Sequence, residues 1–226
     1  MPAQPSHEPP QRAGGRADDT GPAERRADAR RNRARILQAA QEAFADKGID
    51  VPLTAVARRA GVGAATLYRH FPTRAALVSA AFAEQLSVCV AALDEALDDP
   101  DPLRGLRNLL EQVCAMQATD RGFAAAFMEH FPDALDYDQE SARAEDGLAL
   151  LIERGQRTGQ LRADVAPADV TLLLLANRGL AGQPEDTALA ASSRLLAHFL
   201  RSAQTRYTSP MPPPPHLGLH KVHPHL

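Results

Sequence analysis

The chain has 226 residues, 44% of them apolar and 4% aromatic, and a formal charge of −3. That length suits one or two domains with a sizeable core. No apolar run approaches the ~20 residues of a membrane span, the N-terminus has no hydrophobic signal region, and two cysteines, Cys89 and Cys114, make no disulfide framework, so the expectation is a soluble cytoplasmic protein with no membrane partner.

The charge is unevenly spread. Residues 30–77 carry nine Lys or Arg against three Asp or Glu, whereas residues 78–226 carry twelve against twenty. One basic segment on an acidic body points to an anionic partner for that segment alone.

In chain order, residues 1–29 are rich in Pro, Gly and charge and lack an apolar period, so they read as a disordered tail. Arg25, Arg26, Arg30, Arg31 and Arg33 lie at its junction with the first helix, an arm that can run along phosphates or simply stay solvated. The first helix is expected from about Arg30 to Lys47, where Ile36, Ala40, Ala43 and Phe44 recur at helical spacing. Gly48 stands where helices end and Pro52 where the next can begin. In Leu53–Leu77, Val56, Ala57 and Ala60 form one buried face, Gly61 permits a tight turn, and Gly63 is an acceptable N-cap. The helix that follows, Ala64 to Phe71, turns Leu67 and Phe71 inward. Its other face shows Ala64, Ala65, Thr66, Tyr68, Arg69 and His70. Small residues followed by donors suit a helix entering the major groove.

These residues resemble the DNA-binding domain of the TetR family of transcriptional regulators, over about Arg30 to Leu77. The resemblance rests on Ile36–Leu37–x–Ala39–Ala40, Phe44–x–x–x–Gly48, Val56–Ala57–x–x–Ala60–Gly61–Val62 and Thr66–Leu67–Tyr68–x–His70–Phe71–x–x–Arg74–x–x–Leu77. It implies that Tyr68 and His70 contact phosphates, that Arg74 takes the place of the family's usual Lys, and that Thr66, Ala65 and Ala64 face the bases. Arg31, Arg33 and Arg69 complete the candidate contacts with a double-stranded DNA operator. The sequence departs from the family pattern at Gly63, where Ser often caps, and at Pro52–Leu53, where a Thr usually meets a phosphate.

The rest reads as helices, giving an all-α chain of about nine: a three-helix helix–turn–helix domain at 30–77, then a larger helical domain at 78–203, which the resemblance makes the effector-binding and dimerisation domain. Thr73 caps a long fourth helix, Arg74 to about Leu97. A break at Asp98–Pro102 precedes Leu103–Gln117, with Leu106, Leu109, Leu110, Val113 and Cys114 in one stripe. Further helices are expected at Gly122–His130, Asp136–Thr158, Pro167–Leu180 and Glu185–Ala203. Leu172 to Leu175 cannot all face one core, so the last two helices need a second partner. The resemblance makes that partner a second copy of the chain, a homodimer built through Leu172, Leu175, Leu195 and Phe199. It also implies an unknown small-molecule effector that releases a repressor from a palindromic operator. The candidates for the effector cavity are Phe82, Leu86, Leu110, Met116, Phe123, Phe127, Met128 and Tyr137, each equally a plain core residue. Residues 204–226, with Pro212–Pro215 and four His, read as a second disordered tail.

No catalytic, metal or cofactor site is expected. Gly61–x–Gly63–x–x–Thr66 lacks the third Gly and the preceding strand of a dinucleotide loop. The competing class is an all-helical partner-binding adaptor, or an enzyme using the polar cluster Glu129, His130 and Asp133.

Overall fold

The computed structural model describes residues 22–129, 137–206 and 209–215. Among them are ten helices and no strand: α1 (Pro22–Lys47), α2 (Leu53–Arg59), α3 (Ala64–His70), α4 (Arg74–Ala81), α5 (Ala83–Asp98), α6 (Pro102–Thr119), α7 (Arg121–Glu129), α8 (Tyr137–Arg157), α9 (Pro167–Arg178) and α10 (Glu185–Ala203).

Two elements differ from the sequence-based expectation. The first helix begins at Pro22 rather than Arg30, so residues 22–29 are helical. Pro22 is well suited to the first turn, and Ala23 to Ala29 hold Ala, Arg and Glu with only one Asp, all compatible with continuing the helix. The long fourth helix is two, bent by 62° at Phe82. There φ and ψ of −111° and 14° leave the helical region, and the Gln41 side chain on α1 donates to the Ala81 carbonyl at 2.7 Å. The buried Phe82 ring, anchored between α1 and α7, holds the corner.

Helix α6 is the axis of the larger part and packs against α5, α7, α8, α9 and α10. Its first turn is capped by Asp101, which accepts from the Leu103 and Arg104 N–H groups at 3.1 Å. The Asp169 carboxylate accepts from the Ala166 N–H at 2.8 Å to set the start of α9. One continuous core runs through both parts, with Phe44, Phe82, Phe123, Leu67, Leu106, Leu110 and Leu151 fully buried. Burial of large apolar side chains, roughly 1.5–3 kcal/mol each against exposure, is what joins α1 to α7 and α4. Because of Gly122, α1 and α7 approach closely: a Cβ there would lie 2.9 Å from Phe82 Cζ and 3.0 Å from the Phe44 backbone carbon.

The C-terminal residues 209–215 are extended and held against the body. Arg162 pairs with Asp164 and donates to the Ser209 carbonyl at 2.7 Å, and Asp164 accepts from the Met211 N–H at 3.0 Å. This part of the expected tail therefore has a defined path. His216, His220, His223 and His225 lie outside the described residues, as do His130 and Asp133 and the side chain of Glu129.

Candidate functional site

Two features stand out: an exposed helix on the N-terminal unit and an apolar cavity in the larger part.

The exposed helix is α3. Helix α2 buries Leu53, Val56 and Ala57 against α1. The chain then turns at Gly61, whose φ of +63° suits a residue without a side chain. Val62 fills the corner, its N–H donating to the Ala57 carbonyl at 3.0 Å. Arg35 on α1 fastens this turn, donating to the carbonyls of Ala60 at 2.6 Å and Gly61 at 3.3 Å. Arg59 reaches back from α2 to Glu42 and Asp46 on α1 at 2.9 and 3.0 Å. Those pairs are exposed and fix geometry more than stability.

Leu67 and Phe71 are buried, so the opposite face of α3 is set by its 3.6-residue repeat. Ala64, Ala65, Tyr68 and Arg69 are exposed, with Thr66 and His70 half-buried. Six of the expected contact residues thus share one short helix. Tyr68 is 46% exposed, unusual for so large an aromatic and available to a partner. Arg69 is tethered over the helix start, donating to Thr66 Oγ1 at 3.2 Å and to the Ala65 carbonyl at 3.3 Å. Arg33 stacks its guanidinium 5.1 Å from the centre of the Phe71 ring, which places a cation next to the C-terminus of α3. Arg31 pairs with Asp28.

Arg74 stands apart. It is half-buried, and its Nη1 donates to the carbonyls of Ile49 and Val51, the latter at 2.7 Å. It pins the α1–α2 loop to the start of α4, a role its spacing in the sequence did not disclose. Thr73 caps α4 as expected, accepting from the Ala76 N–H at 3.0 Å.

The cavity has a free volume of about 70 Å³. Helix α5 contributes Cys89, Val90 and Leu93; α6 contributes Leu109, Leu110 and Val113; α7 contributes Phe127. Helix α8 adds Arg143, Ala144 and Leu148, and α9 adds Val170 and Leu174. Of the eight candidates read from the sequence, Leu110 and Phe127 line it. Leu86 and Met116 are half-buried against the core elsewhere, and the side chains of Met128 and Tyr137 lie outside the described residues. Phe82 and Phe123 do something else. With Phe44 and Phe127 they form a row of four rings, Phe44–Phe82–Phe123–Phe127, at centroid separations of 6.0, 6.1 and 5.5 Å. The row begins in α1, passes the α4–α5 corner and ends in the cavity wall.

Burial pushes the thiols of Cys89 and Cys114 up to about 12, so both stay protonated near neutrality and are poor nucleophiles. Among the described residues, no group of three or more His, Cys, Asp or Glu is placed to hold a metal ion. No single described helix is long and apolar enough to cross a membrane.

Leu172, Leu195 and Phe199 meet in a shared apolar groove between α9 and α10, which also takes Met211. Leu172 is 43% exposed. Leu175 faces a different cleft, beside Lys47 and Arg178. Three of the four expected interface residues therefore come together and one does not.

Comparison with known proteins follows the same division. Residues 36–81 match the model of bacterial regulatory proteins of the tetR family, and residues 101–202 match that of the SbtR-like transcriptional regulator C-terminal domain. The chain is 30% identical over 146 residues to the HTH-type transcriptional regulator Mb2274c of Mycobacterium bovis, covering 62% of this chain and 75% of that one. It is 30% identical over 171 residues to the probable HTH-type transcriptional regulator ArpR of Pseudomonas putida, covering 69% and 81%. The ketosteroid transcriptional regulator KstR2 of Mycobacterium tuberculosis, at 18% identity, shares the fold with a TM-score of 0.58 over 77% of this chain and 95% of that one.

Proposed function

Because the chain belongs to the TetR family of transcriptional regulators, we propose that it is a dimeric repressor, released from a palindromic operator when a small effector enters the α5–α9 cavity. The observation that carries this reading is the row of rings, which joins the cavity wall at Phe127 to the core of the N-terminal unit at Phe44.

In this reading α3 enters the major groove. Ala64, Ala65 and Thr66 meet base edges, while Tyr68, Arg69 and His70 hold phosphates, with Arg31 and Arg33 alongside. Phosphate contacts set affinity and orientation. The two alanines offer no hydrogen-bonding group to a base, so much of the sequence preference falls to Thr66 and to operator shape. Arg74 acts by holding the α1–α2 loop. The α9–α10 groove takes the same groove of a second copy, and the two α3 helices must then span successive major grooves ~34–36 Å apart.

A ligand against Phe127 displaces Phe123, and Phe123 bears on Phe82 at the α4–α5 corner. The corner turns α4, and α4 carries the unit that reads DNA. Packed cores move between discrete arrangements rather than flexing continuously, so a small change at the cavity is passed on. Coupling of about 1–3 kcal/mol lowers operator affinity about 5- to 150-fold.

The test is an operator-shift assay with a ligand library, using the parent and a Val113→Phe variant whose cavity is filled. A ligand that weakens the complex in the parent and not in the variant supports the reading. A ligand that acts equally on both sends the effector site elsewhere.

A further inference from the structure

Among the described residues, Arg143 is the sole charged side chain in the cavity lining; the other eleven are Cys, Val, Leu, Ala and Phe. It is also the exposed one, at 59%, so it marks the mouth. Its Nη2 donates to Asp94 Oδ1 at 2.6 Å, and Asp94 is outside the lining. From these placements we infer the chemical class of the effector: a slender apolar chain ending in a carboxylate, whose headgroup takes Arg143 from Asp94 while the chain fills the space among α5, α6 and α9. The inference rests on the regulator reading above for its biological meaning, not for its chemistry.

The physical reasons are three. An apolar wall rewards hydrocarbon and penalises any polar group carried past the mouth. A guanidinium at the rim presents a fork that matches a carboxylate with two parallel hydrogen bonds. An exposed ion pair contributes little, so exchanging Asp94 for a ligand carboxylate costs little. An alcohol or ester makes no comparable bond with Arg143, and an ammonium group is repelled by it. The volume of about 70 Å³ is roughly half the ~150 Å³ that accommodates a benzene ring, which excludes fused rings; an eight-carbon chain enters only as the lining side chains shift.

The experiment is calorimetric titration of the full chain with octanoate, octan-1-ol and octylamine at one pH and ionic strength. It is repeated on Arg143→Gln, a substitution at an exposed position, and on Asp94→Asn. The expected result is octanoate binding a few-fold tighter than either analogue, the scale of an exposed ion pair. Arg143→Gln should bring it to the level of octan-1-ol, and Asp94→Asn should tighten it by a few-fold. Octan-1-ol or octylamine binding as tightly as octanoate, a preference that survives Arg143→Gln, or no binding of octanoate at millimolar concentration would each overturn the inference. Operator release is measured separately. Octanoate that binds as expected and leaves the operator complex intact defeats the regulator reading alone. Release by a ligand with no headgroup preference defeats the ligand class alone.

Discussion

Gly122→Ala isolates the contact between α1 and α7 without touching a residue proposed to meet DNA. The added Cβ would lie 2.9 Å from Phe82 Cζ, 3.0 Å from the Phe44 backbone carbon and 3.0 Å from Phe44 Cβ, where ordinary contact begins at 3.4 Å. The shortfall is about half an ångström. Phe82 is a rigid ring in a filled space and cannot swing aside. The carbonyl carbon of Phe44 moves only if α1 moves, so α1 and α7 must separate. Overpacking of this kind costs about 1–3 kcal/mol. Alanine in a helix recovers about 1 kcal/mol relative to glycine, leaving a net loss of about 0–2 kcal/mol in urea unfolding. The repositioned α1 carries Arg33 and Arg35, which brace α3 and its turn. If 1–2 kcal/mol of that strain falls on the DNA-bound arrangement, operator affinity drops about 5- to 30-fold with no ligand present. Fluorescence anisotropy with a labelled operator measures it. An unchanged operator Kd beside a clear loss of stability would refute the idea that this contact couples the two parts.

Three other predictions follow from single side chains. Arg74→Ala should lower stability by about 2 kcal/mol, since it leaves the Ile49 and Val51 carbonyls without their charged donor; it should weaken operator binding while leaving the salt slope unchanged, whereas a direct phosphate contact in each subunit would reduce that slope by about 1.8 for the dimer. Asp164 is held well below the usual carboxylate range, first by its hydrogen bond with Arg162 and then by the Met211 N–H. Its depressed pKa favours the folded state above the unfolded value near ~3.9 and loses that advantage as pH falls through the folded value. Protection of the Met211 amide, relative to its intrinsic exchange rate, should therefore persist from neutral pH to well below the unfolded value and be lost only in stronger acid; Asp164→Ala should remove it throughout. The thiol of Cys89, raised to about 12, should react with Ellman's reagent at pH 8 about 10³-fold more slowly than an ordinary cysteine and normally once unfolded; rapid labelling of the folded chain would contradict its burial.

The parts of the fold written in short-range patterns were legible in the sequence. Gly61, Val62, Leu67 and Phe71 mark the turn and buried face of the helix–turn–helix because backbone freedom and helical repeat are local properties. The stripe on α6 and the cap at Thr73 were readable for the same reason. The break at Phe82 was not, since the apolar pattern runs through it and the corner is made by Gln41 and by two rings distant in sequence. The bonds of Arg74 to the Ile49 and Val51 carbonyls could not be read, because spacing reveals position and not the direction of a long side chain. The cavity was least readable. Leu109, Leu110 and Val113 belong to one inward stripe, and where such a stripe leaves a gap depends on how five helices meet. Phe82 and Phe123 are outside the cavity lining and pack against each other and against Phe44 and Phe127, contacts between segments distant in sequence. Leu175 illustrates the same limit on α9, where four consecutive leucines announce a second partner without saying which of them faces it.

In the proposed function two copies of α3 read one symmetric DNA site. Selection of bound fragments from genomic DNA, followed by anisotropy titration of the recovered site over a range of salt, tests it most directly. The expected product is a two-fold symmetric sequence with half-sites one helical turn apart, about 10–10.5 base pairs or a multiple. A dimer should bind it about 10³-fold or more above random duplex, with affinity falling steeply as salt rises. Enrichment of no symmetric site, or equal and salt-insensitive affinity for any duplex, would contradict it.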